Sequence, residues 1–472
     1  MIFLKISLRN IIYMIKAIIF QIIISLPLFG QVITVKYGPL LTEKRTDTAM
    51  EKWRTNRFGQ FIHWGLYAIP GGEWEGKIYT GAAEWLPVWA AIPSAHWDSL
   101  QYDFNPSRFD PKKWAKMAKH MGARYVTITT KHHDGFCLWP SKFTEFDVES
   151  TPYNNDLLRP FVDAYTEEGI DVYFYYSILD WHHPNWRKEI KSDSDQFAFE
   201  QFKSFTKNQL EELLKLYPEV KGFWFDGTWD QSWKLNGQFS YELENYLKKI
   251  HPGLIVNSRM RADEHGSRHR DSNGRLMGDY ESGYERRLPD TGDTAIIQVD
   301  WESCMTIPEN QWGFHKDWTT SHVKSPNELI EMLIHSVSLG GNFLLNFGPK
   351  ADGTIRREEK RIAKEIGQWM EKYGEAVYNC GHAGLDKQDW GYYTKPKVGD
   401  NIYMTVFNIP INKKLKIRLP KGEQINKAYL LDRPNRSLEI QSYNKEISLV
   451  QIKTRSTSHP FVIVLELKRK ES

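Results

Sequence analysis

The stretch VKGFWFDGTWD, residues 220–230, is an apolar run that ends on an acid and a glycine. The run from Val220 to Phe225 predicts a strand buried on both faces, as in a parallel sheet. Asp226 follows where such a strand leaves the core, and Gly227 permits a tight turn directly after it. An acid at this point is either the cap of a following helix or a functional carboxylate at the edge of a sheet.

Short β-branched or aromatic runs alternate with longer segments of helical period through most of the chain. The predicted strands are 58–65, 125–133, 171–177, 220–226, 253–259, 295–302 and 341–348, and the predicted helices are 110–122, 155–169, 197–217 and 325–341. Strand followed by helix, repeated in this way, favours an α/β fold of the (β/α)8-like (TIM) barrel type. A doubly wound sheet is the alternative, although no glycine-rich phosphate loop follows the first strand.

The pattern changes near residue 380, where short strands follow one another without helices between them. These runs are NIYMTVFNIP, KLKIRLP, KAYLLD, KEISLVQI and FVIVLELK. Such spacing predicts a C-terminal β-sandwich. We therefore predict a (β/α)8-like domain over 31–378 and a β-sandwich domain over 379–472.

The first thirty residues are predicted to be a secretory signal. Three basic residues precede the apolar stretch AIIFQIIISLPLFG, which is too short and too interrupted to span a bilayer comfortably. Cleavage is expected near Gly30, and a segment starting at Met14 would be a complete signal by itself, so the start is Met1 or Met14. The mature chain is then exported, to the periplasm or the exterior. An uncleaved membrane anchor is the alternative.

Composition restricts the classes of partner. Lys plus Arg number 62 and Asp plus Glu 59, so the net charge is +3 and no nucleic-acid partner is expected. Three cysteines, none in a C-x-x-C pair, exclude a disulfide scaffold and a thiolate zinc site. The aromatic fraction is 14%, with 18 Trp; this predicts either a large aromatic core or ring faces that pack against sugars.

Polar and aromatic side chains follow the predicted strands where each strand ends. They are His63 and Trp64; His132, His133 and Asp134; Tyr175 and Tyr176; Asp226; Arg259; and Trp301 with Glu302. The carboxyl ends of the strands carry the active groups in barrels of this kind. The convergence therefore predicts a site at that edge.

The segment KHHDGF, residues 131–136, raises the hypothesis of a metal site. Neighbours on a strand point to opposite faces, so His132 and His133 are not expected to share one ion without a bulge. We expect no metal. The imidazoles, with His63 and Arg259, are instead suited to donate hydrogen bonds to ring hydroxyls. Trp85 and Trp312 could supply the apolar wall. Aromatic and polar groups at one edge therefore predict a pocket for one polar, partly hydrophobic sugar ring.

Glycosidic hydrolysis usually needs two carboxyl groups. Asp226 is the better candidate for the nucleophile, with a helix N-cap as the alternative role. The second group is harder to choose, because the predicted loop 278–290 offers Asp279, Glu281 and Glu285. Composition alone leaves all three open.

Five long motifs in order resemble the α-L-fucosidases, family 29 of the glycoside hydrolases. They are RFGQFIHWG, KHHDGFCLWPSKFTEFDVESTPY, YYSILDWHHP, GFWFDGTWD and GGNFLLNFGP. The resemblance runs from about residue 40 to 380. It implies a retaining exo-hydrolase of fucosylated oligosaccharides or glycoconjugates, with a (β/α)8-like catalytic domain, a C-terminal β-sandwich and no cofactor.

The resemblance also implies roles for individual residues. Asp226 corresponds to the nucleophile, and Glu285 in GYERRLP to the acid/base, with Glu281 as runner-up because the family's Thr-Pro is replaced by Gly283 and Tyr284. The implied fucose pocket comprises His63, Glu84, Trp85, His132, His133, Tyr175, Arg259 and Trp312. A hydrolase of a related sugar, such as an α-L-galactoside, and a non-catalytic sugar-binding protein are the alternatives.

Overall fold

A computed structural model describes residues 44–262, 270–271, 273–293, 295–319, 321–419, 423–442, 447–452 and 458–468. The predicted signal segment 1–30, with its alternative start at Met14, lies outside the described residues. Within the described ranges no helix is both long and apolar enough to cross a bilayer.

Eight parallel strands form the main sheet. Apart from a small hairpin of β2 (Glu73–Trp74) and β3 (Lys77–Ile78), the strands up to residue 347 all belong to it: β1 (Phe58–Ile62), β4 (Tyr125–Lys131), β5 (Asp171–Ser177), β6 (Gly222–Asp226), β7 (Ile255–Val256), β8 (Glu281–Glu285), β9 (Trp301–Met305) and β10 (Asn342–Phe347). Their order across the sheet is β7-β6-β5-β4-β1-β10-β9-β8. Consecutive strands of this sheet are therefore neighbours in it, except β7 and β8, which form its two edges; the first strand, β1, also pairs with the last, β10.

Helices follow most of these strands. The α-helices are α1 (Thr48–Asn56), α2 (Leu86–Trp89), α3 (Ser94–Asp98), α4 (Pro111–Met121), α5 (Leu158–Glu167), α6 (Asp193–Leu216), α7 (Gln231–Lys234), α8 (Gly237–Ile250), α9 (Pro326–Ser338) and α10 (Arg357–Tyr373). Short 3₁₀ turns span Leu66–Ala68, Ala83–Trp85, Ser99–Asp103, Val148–Ser150, Ser258–Met260, Ile296–Gln298 and Gly374–Ala376. The four helices predicted from the sequence are confirmed, with ends shifted by a few residues.

Helix α4 shows why these boundaries are readable from sequence. The Asp110 carboxylate accepts a hydrogen bond from the Lys113 N–H at 3.0 Å, and Pro111 occupies the first turn. Gly122 ends the helix in the left-handed conformation, with φ of 96°. Apolar side chains of α4, among them Trp114, are buried.

Two sequence expectations in the second half of the sheet are wrong. The predicted strand 295–302 is a 3₁₀ turn, Ile296–Gln298, followed by β9, which begins only at Trp301. The predicted loop 278–290 contains β8, whose residues Glu281–Glu285 are mostly half-buried. Its glycine, polar and charged residues lack the apolar run that marked the other strands, so periodicity missed it.

The two edge strands of the sheet, β7 and β8, are joined by backbone hydrogen bonds just outside their ends. The N–H of Asp279 donates to the carbonyl of Val256 at 2.7 Å, and the N–H of Ser258 donates to that of Tyr280 at 2.9 Å. Asn257 and Tyr280 form a parallel bridge. The sheet therefore curls far enough to bring its edges into contact.

The C-terminal strands form two antiparallel sheets. One contains β11 (Cys380–Gly381), β12 (Gly391–Pro396), β13 (Ile402–Val406), β15 (Ile425–Leu430), β16 (Arg433–Ser437) and β19 (Phe461–Leu467); the other contains β14 (Lys414–Arg418), β17 (Glu439–Ser442) and β18 (Ile447–Gln451). Along β14, Leu415 and Ile417 are buried while Lys416 and Arg418 are exposed. This alternation buries one face of the three-stranded sheet, as expected for an antiparallel sheet with one solvated face.

Candidate active site

A small cavity opens at the carboxyl ends of the parallel strands. It is lined by Phe61, His63, Glu84, Trp85, His132, His133, Tyr175, Trp224, Asp226, Glu285 and Trp312. Nine of the eleven site residues expected from the sequence are in this lining. Of the other two, Arg259 contacts two of the lining carboxylates, and Glu281 lies outside.

Asp226 ends β6, and both of its carboxylate oxygens are held. Oδ1 accepts a hydrogen bond from Arg259 Nη1 at 3.0 Å, and Oδ2 accepts one from the Tyr175 hydroxyl at 3.1 Å. The side chain keeps 16% of its surface exposed. The following helix has Asp230, not Asp226, at its N-cap position. The helix-cap alternative for Asp226 is therefore wrong, and its carboxylate faces the cavity.

Gly227 explains how the chain turns immediately after Asp226. Its φ is +81°, a conformation that favours glycine, and a Cβ there would lie 2.6 Å from the Cβ of Leu179. The N–H of Ile178 also donates to the Asp226 carbonyl at 2.8 Å. Backbone packing against the loop after β5 therefore sets the position of the Asp226 carboxylate.

Glu285 ends β8, the strand that the sequence did not predict. Its Oε2 accepts a hydrogen bond from Arg259 Nη2 at 2.7 Å, and the side chain is 33% exposed. Glu281, at the start of the same strand, turns back on its own chain. Its Oε1 accepts from the N–H of Gly283 at 2.6 Å and from the Ser258 hydroxyl at 3.3 Å. Strand β8 therefore brings Glu285, and not Glu281, into the cavity.

Arg259 links the two cavity carboxylates. Its guanidinium bonds both Asp226 and Glu285, and it lies over the Trp224 ring at 4.8 Å. Burial alone would lower the pKa of Arg259, but the negative charges of the two carboxylates outweigh it and raise that pKa above its ordinary value. Arg259 therefore stays charged and holds the carboxylates on either side of one planar group.

Hydrogen-bond networks set the tautomers of His63 and His133. The Asn346 amide donates to the Trp312 carbonyl at 2.6 Å, so its oxygen is left to accept from His63 Nδ1 at 2.7 Å. Likewise, the Ser177 hydroxyl donates to a backbone carbonyl at 2.5 Å and accepts from His133 Nδ1 at 2.6 Å. With both Nδ1 atoms donating, each neutral ring leaves Nε2 as an acceptor.

Burial keeps these rings neutral. Desolvation lowers the pKa of His63 and of His133 to about 3, and it lowers the pKa of His132 well below its usual value. His133 Nε2 lies 3.9 Å from Asp226 Oδ2. A ligand hydroxyl can therefore donate to the imidazole nitrogens, whereas the sequence had suggested imidazoles acting as donors.

His132 and His133 both line the cavity, contrary to the expectation that strand neighbours point to opposite faces. Strand β4 ends at Lys131, its register with β5 shifts near this end, and the two rings lie 4.2 Å apart. His132 stacks on Tyr175 at 5.2 Å, and its buried Nδ1 has no hydrogen-bond partner among the described residues. Within those same residues no group of three or more His, Cys, Asp or Glu side chains could hold a metal.

Glu84 is a third carboxyl group in the cavity. It belongs to the 3₁₀ turn Ala83–Trp85, and its Oε2 accepts from the Gly313 N–H at 3.1 Å. Burial, with a further contribution from the charges of Glu285 and Asp226, raises the pKa of Glu84 to about 7. Near neutral pH this group is therefore able to donate a hydrogen bond as well as accept one.

An aromatic wall completes the cavity. The ring centroid of Trp312 lies 5.0 Å from that of His63 and 6.0 Å from that of Phe61. The ring centroids of Phe61 and Trp224 are 5.3 Å apart. Sequence reasoning did not assign Phe61 or Trp224 to the pocket. Each stands two residues before a predicted site residue on the same strand, and this period-two spacing could have revealed both.

Glu302 is not at the strand end where the sequence placed it. Because β9 begins at Trp301, Glu302 lies near the start of the strand and is only 2% exposed. Its carboxylate accepts from the Trp224 indole at 3.0 Å and from the Tyr125 hydroxyl at 2.6 Å. Glu302 thus supports the cavity from beneath, through Trp224, and does not line it.

The chain is similar to known α-L-fucosidases. A family model described as alpha-L-fucosidase matches residues 31–375. The tissue alpha-L-fucosidase of Mus musculus is 29% identical over 392 residues, which cover 79% of this chain and 81% of the mouse protein.

Solved structures are also similar. A family 29 α-L-fucosidase from Bacteroides thetaiotaomicron is 56% identical, with a TM-score of 0.88 over 90% of this chain and 96% of that one. A second structure from that organism holds a covalent intermediate of a family 29 α-L-fucosidase, trapped with 2-fluoro-fucosyl fluoride in a glutamate-to-glutamine variant. That protein is also 56% identical, with a TM-score of 0.88 over 90% of this chain and 97% of that one. With the family model matching most of its length, this chain belongs to the α-L-fucosidases, family 29 of the glycoside hydrolases.

Proposed function

We propose that this chain hydrolyses terminal α-L-fucosyl residues from oligosaccharides or glycoconjugates with retention of configuration. The observation that carries the proposal is the Arg259 guanidinium, which holds Asp226 and Glu285 on either side of one small cavity. Retaining glycosidases need two carboxyl groups about 5 Å apart. The cavity is small and is lined by aromatic and polar side chains, which suits a site for one terminal sugar residue.

Asp226 is proposed as the nucleophile. In the first step one of its carboxylate oxygens attacks the anomeric carbon, and the bond to the leaving oxygen breaks. The hydrogen bonds from Arg259 and Tyr175 orient the carboxylate. They also stabilise its negative charge before attack, so reactivity depends on close placement against the sugar.

Glu285 is proposed as the acid/base. Arg259 occupies its Oε2, while Oε1 accepts no hydrogen bond from the described residues and is the oxygen available to carry the proton. In the first step Glu285 protonates the leaving oxygen; in the second it removes a proton from the water that attacks the fucosyl-enzyme. Asp226 is then released as a carboxylate.

The remaining cavity residues bind the sugar. The Nε2 atoms of His63 and His133 are acceptors for ring hydroxyls, and protonated Glu84 is a donor. Trp312 supplies an apolar face for the C6 methyl group of fucose. The named relatives are fucosidases, so neither the α-L-galactoside alternative nor the non-catalytic sugar-binding alternative is favoured.

Azide rescue tests the two catalytic roles. Asp226→Ala with added azide should yield fucosyl azide of inverted anomeric configuration, and Glu285→Ala should yield the retained product. Glu281→Ala is the matched control and should hydrolyse natural oligosaccharides at a near-normal rate. If Glu285→Ala keeps that rate and Glu281→Ala loses it, the acid/base is Glu281.

We further propose a closed (β/α)8-like barrel followed by a C-terminal β-sandwich. Contacts between the β7 and β8 edges support closure of the sheet as a (β/α)8-like barrel, and the two antiparallel sheets support a C-terminal β-sandwich. We place the boundary between residues 378 and 379, so that the second domain starts one residue before β11. Limited proteolysis that releases a stable fragment cut near residue 379 would support this division.

We also propose that the chain is exported after removal of residues 1–30. The basic residues and short apolar stretch support a signal. N-terminal sequencing of the mature protein should find a start near residue 31. Recovery of an intact Met1 or Met14 on a membrane-bound protein would support the anchor alternative instead.

A further inference from the structure

Trp229, at the mouth of the cavity, is a large aromatic residue that remains partly exposed to solvent. Trp229 follows the Asp226 turn and leaves 42% of its surface in solvent. Its ring stacks on Trp85 at 6.0 Å with an interplanar angle of 30°, and it meets His133 edge-on at 5.3 Å. Both partners line the fucose cavity, so the Trp229 ring extends the cavity wall outward to the surface.

A second cavity begins at the same ring. We call it the Trp229 groove; it includes Lys188, Glu189, Trp229, Asp230, Lys234 and Leu235. Its volume is about 360 Å³, and Leu235, 59% exposed, provides another apolar surface. Hydrogen bonds from the N–H of Ser232 to the Lys188 carbonyl and from the N–H of Ile190 to the Gln231 side chain join its two walls. These hydrogen bonds fix the two walls relative to each other.

The Trp229 groove carries charged groups of both signs. Lys188 and Lys234 lie near the buried carboxylate of Asp230, and Glu189 pairs with Lys191 at 2.8 Å. These side chains place hydrogen-bond donors and acceptors around the exposed Trp229 ring. An exposed aromatic ring beside charged hydrogen-bonding groups suits a sugar, because its C–H face packs on the ring while its hydroxyls reach the polar groups.

We propose that the Trp229 groove binds the sugar to which fucose is attached, a hexopyranose packed on the Trp229 ring. This inference rests on the proposed function, because the fucose cavity admits one ring and the rest of the substrate must leave through its mouth. The groove shares Trp229 with that mouth, and it is large enough for at least one further ring.

The test compares substrates with and without a leaving sugar. Trp229→Ala should lower kcat/KM about tenfold on a disaccharide with fucose α-linked to galactose or N-acetylglucosamine, and should stay within about twofold of wild type on α-L-fucosyl fluoride. Trp89→Ala is the matched control, since Trp89 is also 42% exposed but lines neither cavity nor groove. It should change neither substrate more than about twofold.

A second variant, Leu235→Asp, tests the groove if the Trp229→Ala protein does not fold. If Trp229→Ala does not fold, Leu235→Asp, a change at a solvent-facing position, should reduce hydrolysis of the disaccharide and spare the fluoride. An equal loss on both substrates, or no loss on any disaccharide, would overturn the proposal.

The fucosidase activity and the role of the Trp229 groove can be contradicted separately. If the wild-type chain does not hydrolyse α-L-fucosyl fluoride, the proposed function fails and this inference fails with it. If wild type and both tryptophan variants hydrolyse the fluoride and the disaccharides alike, only the groove assignment is lost.

Discussion

Replacing Glu302 by glutamine should remove a pH dependence from the stability of the fold. Glu302 lies beneath the cavity, where Trp224, Tyr125 and Tyr280 surround its carboxyl group. Burial raises its pKa from the ordinary 4.5 to about 7. Glutamine has nearly the same shape and can still accept a hydrogen bond, but it carries no ionisable proton.

The size of the effect follows from the difference between folded and unfolded pKa values. Well below pH 4.5 the folded and the unfolded chain both keep the Glu302 proton, so this group does not change the free energy of unfolding. As the pH rises toward 7 the unfolded chain loses that proton while the folded chain keeps it, and the free energy of unfolding falls. With pKa values of 4.5 and about 7, the loss between pH 5 and 7.5 is about 2.4 kcal/mol.

The assay is chemical denaturation at several pH values. The stability of Glu302→Gln relative to wild type should rise by about 2 kcal/mol between pH 5 and 7.5. Glu358→Gln on α10 is the control, because Glu358 is exposed and its difference from wild type should stay flat. A flat difference for Glu302→Gln would refute the reasoning that burial keeps this carboxyl group protonated in the folded protein.

Two further predictions concern the cavity directly. Gly227→Ala should lower kcat on α-L-fucosyl fluoride about tenfold or more, because its Cβ would displace the Asp226 turn; Gly274→Ala, also at positive φ but with nothing within 4 Å, should keep normal activity. Asn346→Asp should raise the pKa of His63 by about 1 to 3 units from its value of about 3. Activity should then fall with decreasing pH as the ring loses its acceptor, and an unchanged pH profile would contradict the tautomer assigned to His63.

Much of the site was readable from the sequence because strands with apolar runs end at one edge. His63, His132, Tyr175 and Asp226 each follow such a run, and a parallel sheet brings those ends together whatever the details of packing. The same logic predicted the strand and helix order, with helix ends marked by residues such as Asp110 whose effect is local.

The acid/base region needed the tertiary structure. Strand β8 has no apolar run, since Gly283 and its polar neighbours are stabilised by pairing with β9 and not by their own burial pattern. Only that pairing decides that Glu285 enters the cavity and Glu281 does not. The tautomers of His63 and His133 likewise depend on partners far along the chain or across the strand end.

The sequence by itself determined the family, the parallel sheet and the nucleophile candidate, because these rest on local runs and on motifs in order. Only the tertiary structure decided that Arg259 bridges Asp226 and Glu285, and that Glu302 lies beneath the site rather than in it. The reason is physical: charge pairing and burial depend on which groups meet across the sheet, and those distances are not written in the spacing of residues along the chain.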